Sequence, residues 1–225
     1  MNIIKASELT TTPRITALIY GTPGMGKTTL LGNLSGRTLI IDVDKGTSVL
    51  AGNNHVDILR LSDDFKEIPE LMKSLTSNCP YENIALDSLS ELERAVLARL
   101  AARNTTGIPS LQDYAKVNNS MLNICRQLRG LPANIIFTAW EKYTEVFAPS
   151  GDKYSRIEPL IRDTNKENVC GLCDIIGRLY YDKDTESRMV WLDGRPNVVA
   201  KDRIFKRINC SFSGVIPAIQ ETSHA

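Results

Sequence analysis

The feature that most constrains this chain is a glycine-rich loop close to its start. Residues 21–28 read Gly-Thr-Pro-Gly-Met-Gly-Lys-Thr, a full match to the pattern G-x-x-x-x-G-K-[ST]. The apolar run Ile15–Tyr20 predicts a buried strand before the loop, and Thr28–Leu34 opens a helix after it. Backbone N–H groups of such a loop turn toward phosphate oxygens, and the helix N-terminus favours negative charge. The sequence therefore predicts an α/β domain that binds a nucleoside triphosphate.

The residues of the loop have separate expected roles. Lys27 is predicted to reach the β- and γ-phosphates, and the Thr28 hydroxyl is predicted to ligate Mg²⁺. The residues expected to contact the nucleotide, ATP, are Gly21, Thr22, Pro23, Gly24, Met25, Gly26, Lys27, Thr28 and Thr29. The alternative is a glycine-rich turn that happens to precede a lysine, which leaves the strand-loop-helix context as a coincidence.

Length and composition limit the class of protein. The 225 residues fit one domain over residues 1–225, with a core at about 13–210. With 42% hydrophobic and 24% charged residues and a formal net charge of +1, neither disorder nor a strongly basic nucleic-acid binder is predicted. The composition does not exclude a local surface of basic residues that binds nucleic acid. The chain shows no apolar stretch of about 20 residues and no signal-peptide pattern, which predicts a cytoplasmic location without membrane contact.

The cysteines do not indicate a disulfide framework or a metal site. There are five, an odd number, and Cys170 and Cys173 form a C-x-x-C pair without a second such pair. The two histidines are His55 and His224, far from that pair in the sequence. A helix carrying two buried cysteines is therefore preferred to a metal or redox site.

Apolar runs alternate with helical patterns, which predicts a largely parallel sheet with helices on both faces. The predicted strands are Ile15–Tyr20, Arg37–Val43, Val56–Arg60, Asn83–Asp87 and Asn134–Ala139. The predicted helices are Phe65–Thr76, Leu89–Arg103 and Asp113–Gly130.

The character of the sequence changes at about residue 141. Residues 141–166 are polar and rich in turn residues, and they predict a long excursion from the sheet. Beyond it, Ile175–Tyr181, Arg188–Leu192 and Val198–Lys201 predict a C-terminal antiparallel extension. The tail from about residue 213 is predicted to be partly poorly ordered.

Acidic residues end two of the predicted strands. Asp87 follows an apolar run and is predicted to hold the Mg²⁺ shell, directly or through water. Asp42 and Asp44 alternate along another strand and so point to opposite faces. Asp44, nearer the carboxyl end, is the better candidate to polarise the attacking water, while Asp42 is interpreted as a turn acid.

The order of these segments resembles the RecA-type ATPase core, through Gly21–Thr28, Ile40–Asp44, Leu86–Ser88 and Ile135–Ala139. More narrowly, the chain is similar to a family of short phage nucleotide-binding proteins that consist of little beyond this core. Members are regarded as single-strand annealing proteins or recombinases of phage replication modules. The narrower similarity lies in residues 18–29, 113–122, 137–141, 177–180 and 200–203.

The resemblance implies roles around the nucleotide. Asp44 falls where the RecA-type core carries its catalytic acid, a glutamate in the best-known members. The segment Phe137–Glu141 ends the strand that senses the γ-phosphate and starts a DNA-binding loop. Trp140 stands where relatives have histidine, so Thr138 or Glu141 shares the sensing role, and Trp140 is a packing residue or a platform for a base.

The resemblance also implies an assembly. In RecA-type filaments, basic residues at the position of Lys201 and Arg203 reach the nucleotide of the neighbouring subunit, as arginine fingers do. Two residues apart on a strand, they are expected to project from one face. The alternative interpretation is a solvated basic strand edge that resists aggregation.

Contact with single-stranded DNA requires cations for phosphates and flat side chains for bases. Both occur after Trp140, where the candidates are Lys142, Tyr143, Phe147, Lys153, Tyr154 and Arg156. Each also has an ordinary packing interpretation. The polar stretch Arg103–Ser110 is a candidate second loop facing the same channel.

These observations lead to one function and two alternatives. The first is an ATP-binding, Mg²⁺-dependent RecA-like phage protein of the host cytoplasm. It forms a filament or ring on single-stranded DNA, hydrolyses ATP weakly unless DNA is present, and promotes annealing or recombination, with a single-strand binding protein as a further candidate partner. The second is a P-loop ATPase switch or loader that acts on a replication partner protein without binding DNA. The third, a small-molecule kinase, lacks a clear Arg-rich lid and ranks last.

Overall fold

The structure, a computed structural model, describes residue 5, residues 14–62 and residues 65–217. The strands within these ranges are β1 (Thr16–Gly21), β2 (Thr38–Asp42), β3 (Val56–Arg60), β4 (Asn83–Asp87), β5 (Asn134–Phe147), β6 (Lys153–Pro159), β7 (Ile175–Asp182), β8 (Ser187–Trp191), β9 (Lys201–Asp202) and β10 (Asn209–Ser211). The helices are α1 (Lys27–Gly32), α2 (Glu67–Ser77), α3 (Leu89–Ala101), α4 (Leu111–Arg129) and α5 (Asp163–Leu172). Short 3₁₀ turns lie at Thr47–Leu50 and Phe212–Gly214.

The central sheet is largely parallel. Its strands run in the order β10-β8-β7-β1-β5-β4-β2-β3, and every neighbouring pair from β7 to β3 is parallel. β8 and β10 add antiparallel strands at one edge, while β6 and β9 pair antiparallel with β5 and β7. The predicted fold class, a mostly parallel sheet flanked by helices with antiparallel C-terminal strands, is confirmed.

The strand period of two sorts the core into two layers. Along β1, Leu18 and Tyr20 face one layer, and Ala17 and Ile19 face the other. The first layer packs against α2, α3, α4 and α5, and the second packs against α1. All six residues of β1 are buried. Strands buried on both faces read as continuous apolar runs, which explains why the sequence predicted them well.

The stretch after residue 141 differs from its prediction as a long loop excursion. β5 continues without a break to Phe147 and turns back as β6, so Glu141–Phe147 and Lys153–Pro159 form a twisted two-stranded arm. The polar composition reflects an arm in which exposed residues alternate with half-buried ones, the exposed set being Tyr143, Glu145, Phe147, Lys153 and Ser155. α5 then occupies much of the remaining segment.

The C-terminal prediction is correct in part. β7 pairs antiparallel with β8, yet its first half also pairs parallel with β1, so it belongs to the central sheet. The predicted strand Val198–Lys201 was wrong: β9 is only Lys201–Asp202, and Val198 makes isolated bridges. Its carbonyl and N–H instead bond to Arg195, which makes a turn there. Val215 and Ile216 are buried in the α1 layer, so the packed domain extends past 213, and residues 218–225 lie outside the described part.

The two C-x-x-C cysteines lie where α5 ends. Cys170 is half-buried within the helix, and Cys173 is fully buried just after it. Burial raises the pKa of the Cys170 thiol to about 11 and that of Cys173 well above its usual value. Both side chains act as small apolar groups.

None of the helices in the described ranges has the length and apolar character to cross a bilayer.

Candidate nucleotide site

The phosphate loop connects β1 to α1 at the carboxyl edge of the sheet. Gly24 has a φ of 80° and Gly26, the N-cap of α1, has a φ of 95°. Residues with a Cβ rarely adopt this left-handed conformation, so both positions favour glycine. A Cβ added to Gly24 would meet nothing within 4 Å, so its requirement is conformational and leaves the loop open to a ligand.

Lys27, the first residue of α1, lies within the loop. Its Nζ donates to the carbonyl oxygens of Gly21 and Thr22, both at 3.0 Å, and only 8% of the residue is exposed. Burial lowers the pKa of Lys27, while the nearby charges of Asp87 and Asp44 oppose that effect. The ammonium is thus held at the mouth of the loop, where phosphate would replace the carbonyl contacts.

Asp87 accepts hydrogen bonds from two hydroxyls on neighbouring elements. Thr28 Oγ1 donates to Asp87 Oδ2 at 2.6 Å, and Thr138 Oγ1, on β5, donates to Asp87 Oδ1. The carboxylate is 2% exposed at the end of β4. The predicted pair Thr28 and Asp87 is therefore brought together, and Thr138, a suggested phosphate sensor, joins it.

These oxygen donors fit the ion that ATP chemistry implies. Mg²⁺ prefers oxygen ligands, binding through one or two carboxylates or hydroxyls together with phosphate oxygens and water. Asp87 and Thr28 would hold it, since their oxygens already lie side by side at the open end of the loop. When bound, the ion would neutralise charge on the β- and γ-phosphate oxygens.

Asp44 lies just after β2 and is fixed by Ser88. The backbone N–H of Ser88 donates to Asp44 Oδ1 at 3.1 Å, and its hydroxyl donates to the same atom at 3.0 Å. Burial and, next, the charge of Asp87 raise the pKa of Asp44, while the Ser88 bonds lower it. Ser88 also caps α3, accepting from the N–H of Glu91. An aligned carboxylate with raised basicity suits a group that orients water.

Asp42 has a different environment, in line with its interpretation as a turn acid. It accepts from Thr47 Oγ1 at 2.6 Å and from the N–H of Gly46 at 3.3 Å. Arg60 lies 3.8 Å from the same carboxylate. Its oxygens are engaged in holding the turn that follows β2.

Trp140 and Glu141, next to the predicted γ-phosphate sensor, already have partners within the protein. Trp140 pairs in register with Gly21, and its backbone N–H donates to Ser90 Oγ at 2.9 Å. The Arg94 guanidinium lies 4.5 Å from the Trp140 ring centroid. Glu141 is paired with Arg178 at 3.1 Å. Thr138 is thus the polar group of this strand that touches the site, and Trp140 packs beside it against α3.

The structure adds Arg188, which the sequence did not single out. Val190 of β8 packs in the α1 layer, so Arg188, two residues earlier, points to the same face at the level of the phosphate loop. A Cβ built on Gly26 would lie 2.7 Å from Arg188 Nη1. Phe212 flanks the guanidinium at 5.8 Å. The register of β8 places it there, and no sequence motif reports that register.

We expect Arg188→Ala to weaken ATP binding by about tenfold, because a charge-assisted contact to phosphate is lost at the loop. Arg188 is exposed, so folding should be retained. The measurement is titration with a fluorescent ATP analogue. Lys183→Ala removes an equal charge from the neighbouring turn and should bind as wild type. Equal affinities for both variants would contradict a role for Arg188.

The structure places Lys201 and Arg203 away from this loop. Lys201 Nζ donates to the carbonyl of Cys170 at 2.8 Å, and Arg203 is paired with Asp174. β9 pairs with Ile175 and Ile176, which lie beside the first half of β1, so both residues are at the opposite edge of the sheet from the loop. Arg203 follows β9 and is not on the predicted strand.

The predicted DNA-contact residues lie on the β5–β6 arm. Lys142 pairs with Glu158 and Asp163, and Lys153 pairs with Glu145 at 3.2 Å. Arg156 donates to the carbonyl of Pro196 and to the Tyr154 hydroxyl. The exposed aromatic rings are Tyr143 at 62% and Phe147 at 64%. The arm therefore presents flat surfaces, but its lysines already have acidic partners.

Comparisons with known proteins give the family of the chain. Residues 14–204 match a protein family described as an AAA domain. Among solved structures, a KaiC-like protein from the hyperthermophilic archaeon Pyrococcus horikoshii OT3 is similar at 13% identity and a TM-score of 0.40, covering 79% of this chain and 77% of that chain. No curated protein matches the sequence. Since the family match spans the sheet from before β1 to past β9, the chain belongs to the AAA domain family of P-loop ATPases.

Proposed function

We propose that this protein is a Mg²⁺-dependent, RecA-like ATPase that assembles on single-stranded DNA and promotes annealing or strand exchange, with ATP hydrolysed at subunit interfaces. One observation carries the ATPase part: Thr28 of α1 bonds to the Asp87 carboxylate at the end of β4, and the backbone N–H of Asp44, just after β2, donates to the Asp87 carbonyl. The phage context and the DNA substrate follow from the resemblance of the sequence.

The chemistry follows from where each group lies. Lys27 and the loop N–H groups hold the phosphates, and Arg188 adds positive charge beside Gly26. Asp44, fixed by Ser88, orients the attacking water and accepts its proton. Thr138 keeps the Asp87 carboxylate aligned. ATP and Mg²⁺ are thus the ligands that the donor set fits.

Hydrolysis between subunits is supported by the position of the two basic residues. Because Lys201 and Arg203 lie at the sheet edge opposite their own loop, any nucleotide they touch belongs to another subunit. Cations supplied in this way stabilise the charge of the transition state.

The test is the ATPase rate per subunit across a range of protein concentrations, with and without single-stranded DNA, alongside electron microscopy of the same mixtures. We expect the rate to rise with both, and Lys201→Ala/Arg203→Ala to lose that rise while still binding nucleotide. Lys66→Ala/Lys183→Ala is the charge-matched control. A rate independent of concentration, and unchanged in the variant, would contradict hydrolysis in trans.

One observation favours the second candidate, a switch or loader acting on a partner protein. Lys142 and Lys153, two predicted DNA contacts, are neutralised within the arm. This candidate expects no salt-dependent retention on single-stranded DNA. It also expects no DNA-induced change in the fluorescence of Trp140 and Trp191, the two tryptophans.

A further inference from the structure

A cleft of about 570 Å³ opens at the amino-terminal edge of the sheet, and four arginines line it. Its polar and charged lining residues are Arg14, Thr16, Arg126, Arg129, Asp174 and Arg203. The topology explains the cluster. Parallel strands begin at a common edge of the sheet. Arg14 and Thr16 lie at the start of β1, and Arg126 and Arg129 lie at the end of α4, before β5. Asp174 precedes β7 and pairs with Arg203.

The cleft carries an excess of positive charge. Its acid, Asp174, is 9% exposed in its side chain and is occupied, accepting from the N–H of Thr16 at 2.8 Å and pairing with Arg203. Arg14, Arg126 and Arg129 are exposed and make no ion pair with any residue in the described ranges. Three of the four guanidinium groups therefore keep their donors for a ligand.

The arginines are arranged for an extended anion. Arg126 and Arg129 are three residues apart on α4 and so share one helix face. The cleft has room for more than one phosphate group. Guanidinium groups bind phosphate through two parallel hydrogen bonds and also stack on bases, which suits a single strand.

The contrast with the β5–β6 arm strengthens the assignment. On the arm, Lys142 and Lys153 have carboxylate partners, whereas the cleft has four arginines and one aspartate. A lysine already paired with a carboxylate neutralises little phosphate charge, so few counterions leave the DNA and little affinity is gained. The cleft is also separate from the phosphate loop, since Thr16 at the start of β1 lines the cleft and Gly21 at the end of β1 begins the loop.

We propose that this cleft binds the phosphate backbone of single-stranded DNA and is the main electrostatic contact of the protein with that strand. The inference rests on the proposed function, because it assigns a location to the DNA binding claimed there. The arm then contributes stacking through Tyr143 and Phe147, and the cleft contributes charge.

The experiment compares Arg126→Gln/Arg129→Gln with wild type and with Lys66→Ala/Lys183→Ala. Glutamine is a good helix former and keeps a polar side chain without the charge, and thermal melting checks the fold. Binding of a fluorescein-labelled oligothymidylate is measured by anisotropy across a range of salt concentrations. A fluorescent ATP analogue is titrated in parallel, at low and at high protein concentration.

We expect the cleft variant to bind the oligonucleotide roughly tenfold more weakly. Its slope of log affinity against log salt should fall by about 1.4, or 0.7 for each lost phosphate contact on a single strand. Its ATP affinity should match wild type at both protein concentrations. If wild type binds DNA and the cleft variant has the same slope as wild type, the assignment of DNA binding to the cleft is wrong and the proposed function stands. An unchanged slope with weaker ATP binding only at high protein concentration shows that the cleft serves a neighbour's nucleotide. No DNA binding by wild type overturns the proposed function itself.

Discussion

Replacing Asp44 by asparagine is expected to lower the turnover number for ATP by about 10²–10⁴ while ATP affinity stays within a few-fold of wild type. The reason lies in the contacts of this side chain. An asparagine oxygen can still accept from the N–H and hydroxyl of Ser88, so the local structure is kept. It cannot accept the proton of the attacking water.

The measurement is phosphate release under saturating ATP, with affinity taken from a fluorescent ATP analogue. Asp44→Glu is the informative companion, because the sequence resembles RecA-type cores whose catalytic acid is glutamate, and it should retain far more activity than Asp44→Asn. Asp42→Asn is the neighbouring control. We expect it to lower stability, because Asp42 bonds to Thr47 and Gly46, and to change the turnover number little. A turnover number near wild type for Asp44→Asn would show that Asp44 serves only to position Ser88.

Replacing Lys27 by methionine is expected to lower turnover by at least about 10²–10³ and to weaken ATP binding, because the loop loses the cation aimed at the β- and γ-phosphates. Methionine keeps most of the buried stem. The carbonyls of Gly21 and Thr22 lose the Lys27 donor in this variant, so thermal melting is measured beside turnover.

Phosphate release and nucleotide titration measure both effects, and Lys183→Met, in the β7–β8 turn, is the matched control. Circular dichroism should show the same fold for the two variants. Wild-type turnover by Lys27→Met would mean that the loop is not the hydrolytic site.

Much of the nucleotide site was predictable from the sequence because its elements are local. Residues 21–28 carry their own strand and helix, and Asp87 ends a run that is apolar throughout. The meeting of Thr28 with Asp87 follows from the rule that parallel strands end at one edge. The left-handed conformations of Gly24 and Gly26 follow from the motif as well.

What the sequence did not predict depends on register between distant segments. β5 reads as two pieces because its second half leaves the core and alternates exposed with half-buried residues, so its hydrophobic pattern stops at Trp140 while the strand goes on. The place of β7 beside β1 is a long-range pairing. Arg188 reaches Gly26 only through the pairing of β8 with β7. Likewise, no local pattern shows that Lys142 meets Glu158 across the arm.

The burial of β1 has a mechanical consequence. Parallel partners hold this strand on both sides, and both of its faces lie in the core, so it belongs to the part of the domain that opens last. The arginine cleft flanks its first residues, and the phosphate loop begins at its last. β1 therefore connects the arginine cleft to the phosphate loop as one buried strand that is paired on both sides. The two sites are therefore attached to the same rigid element of the core.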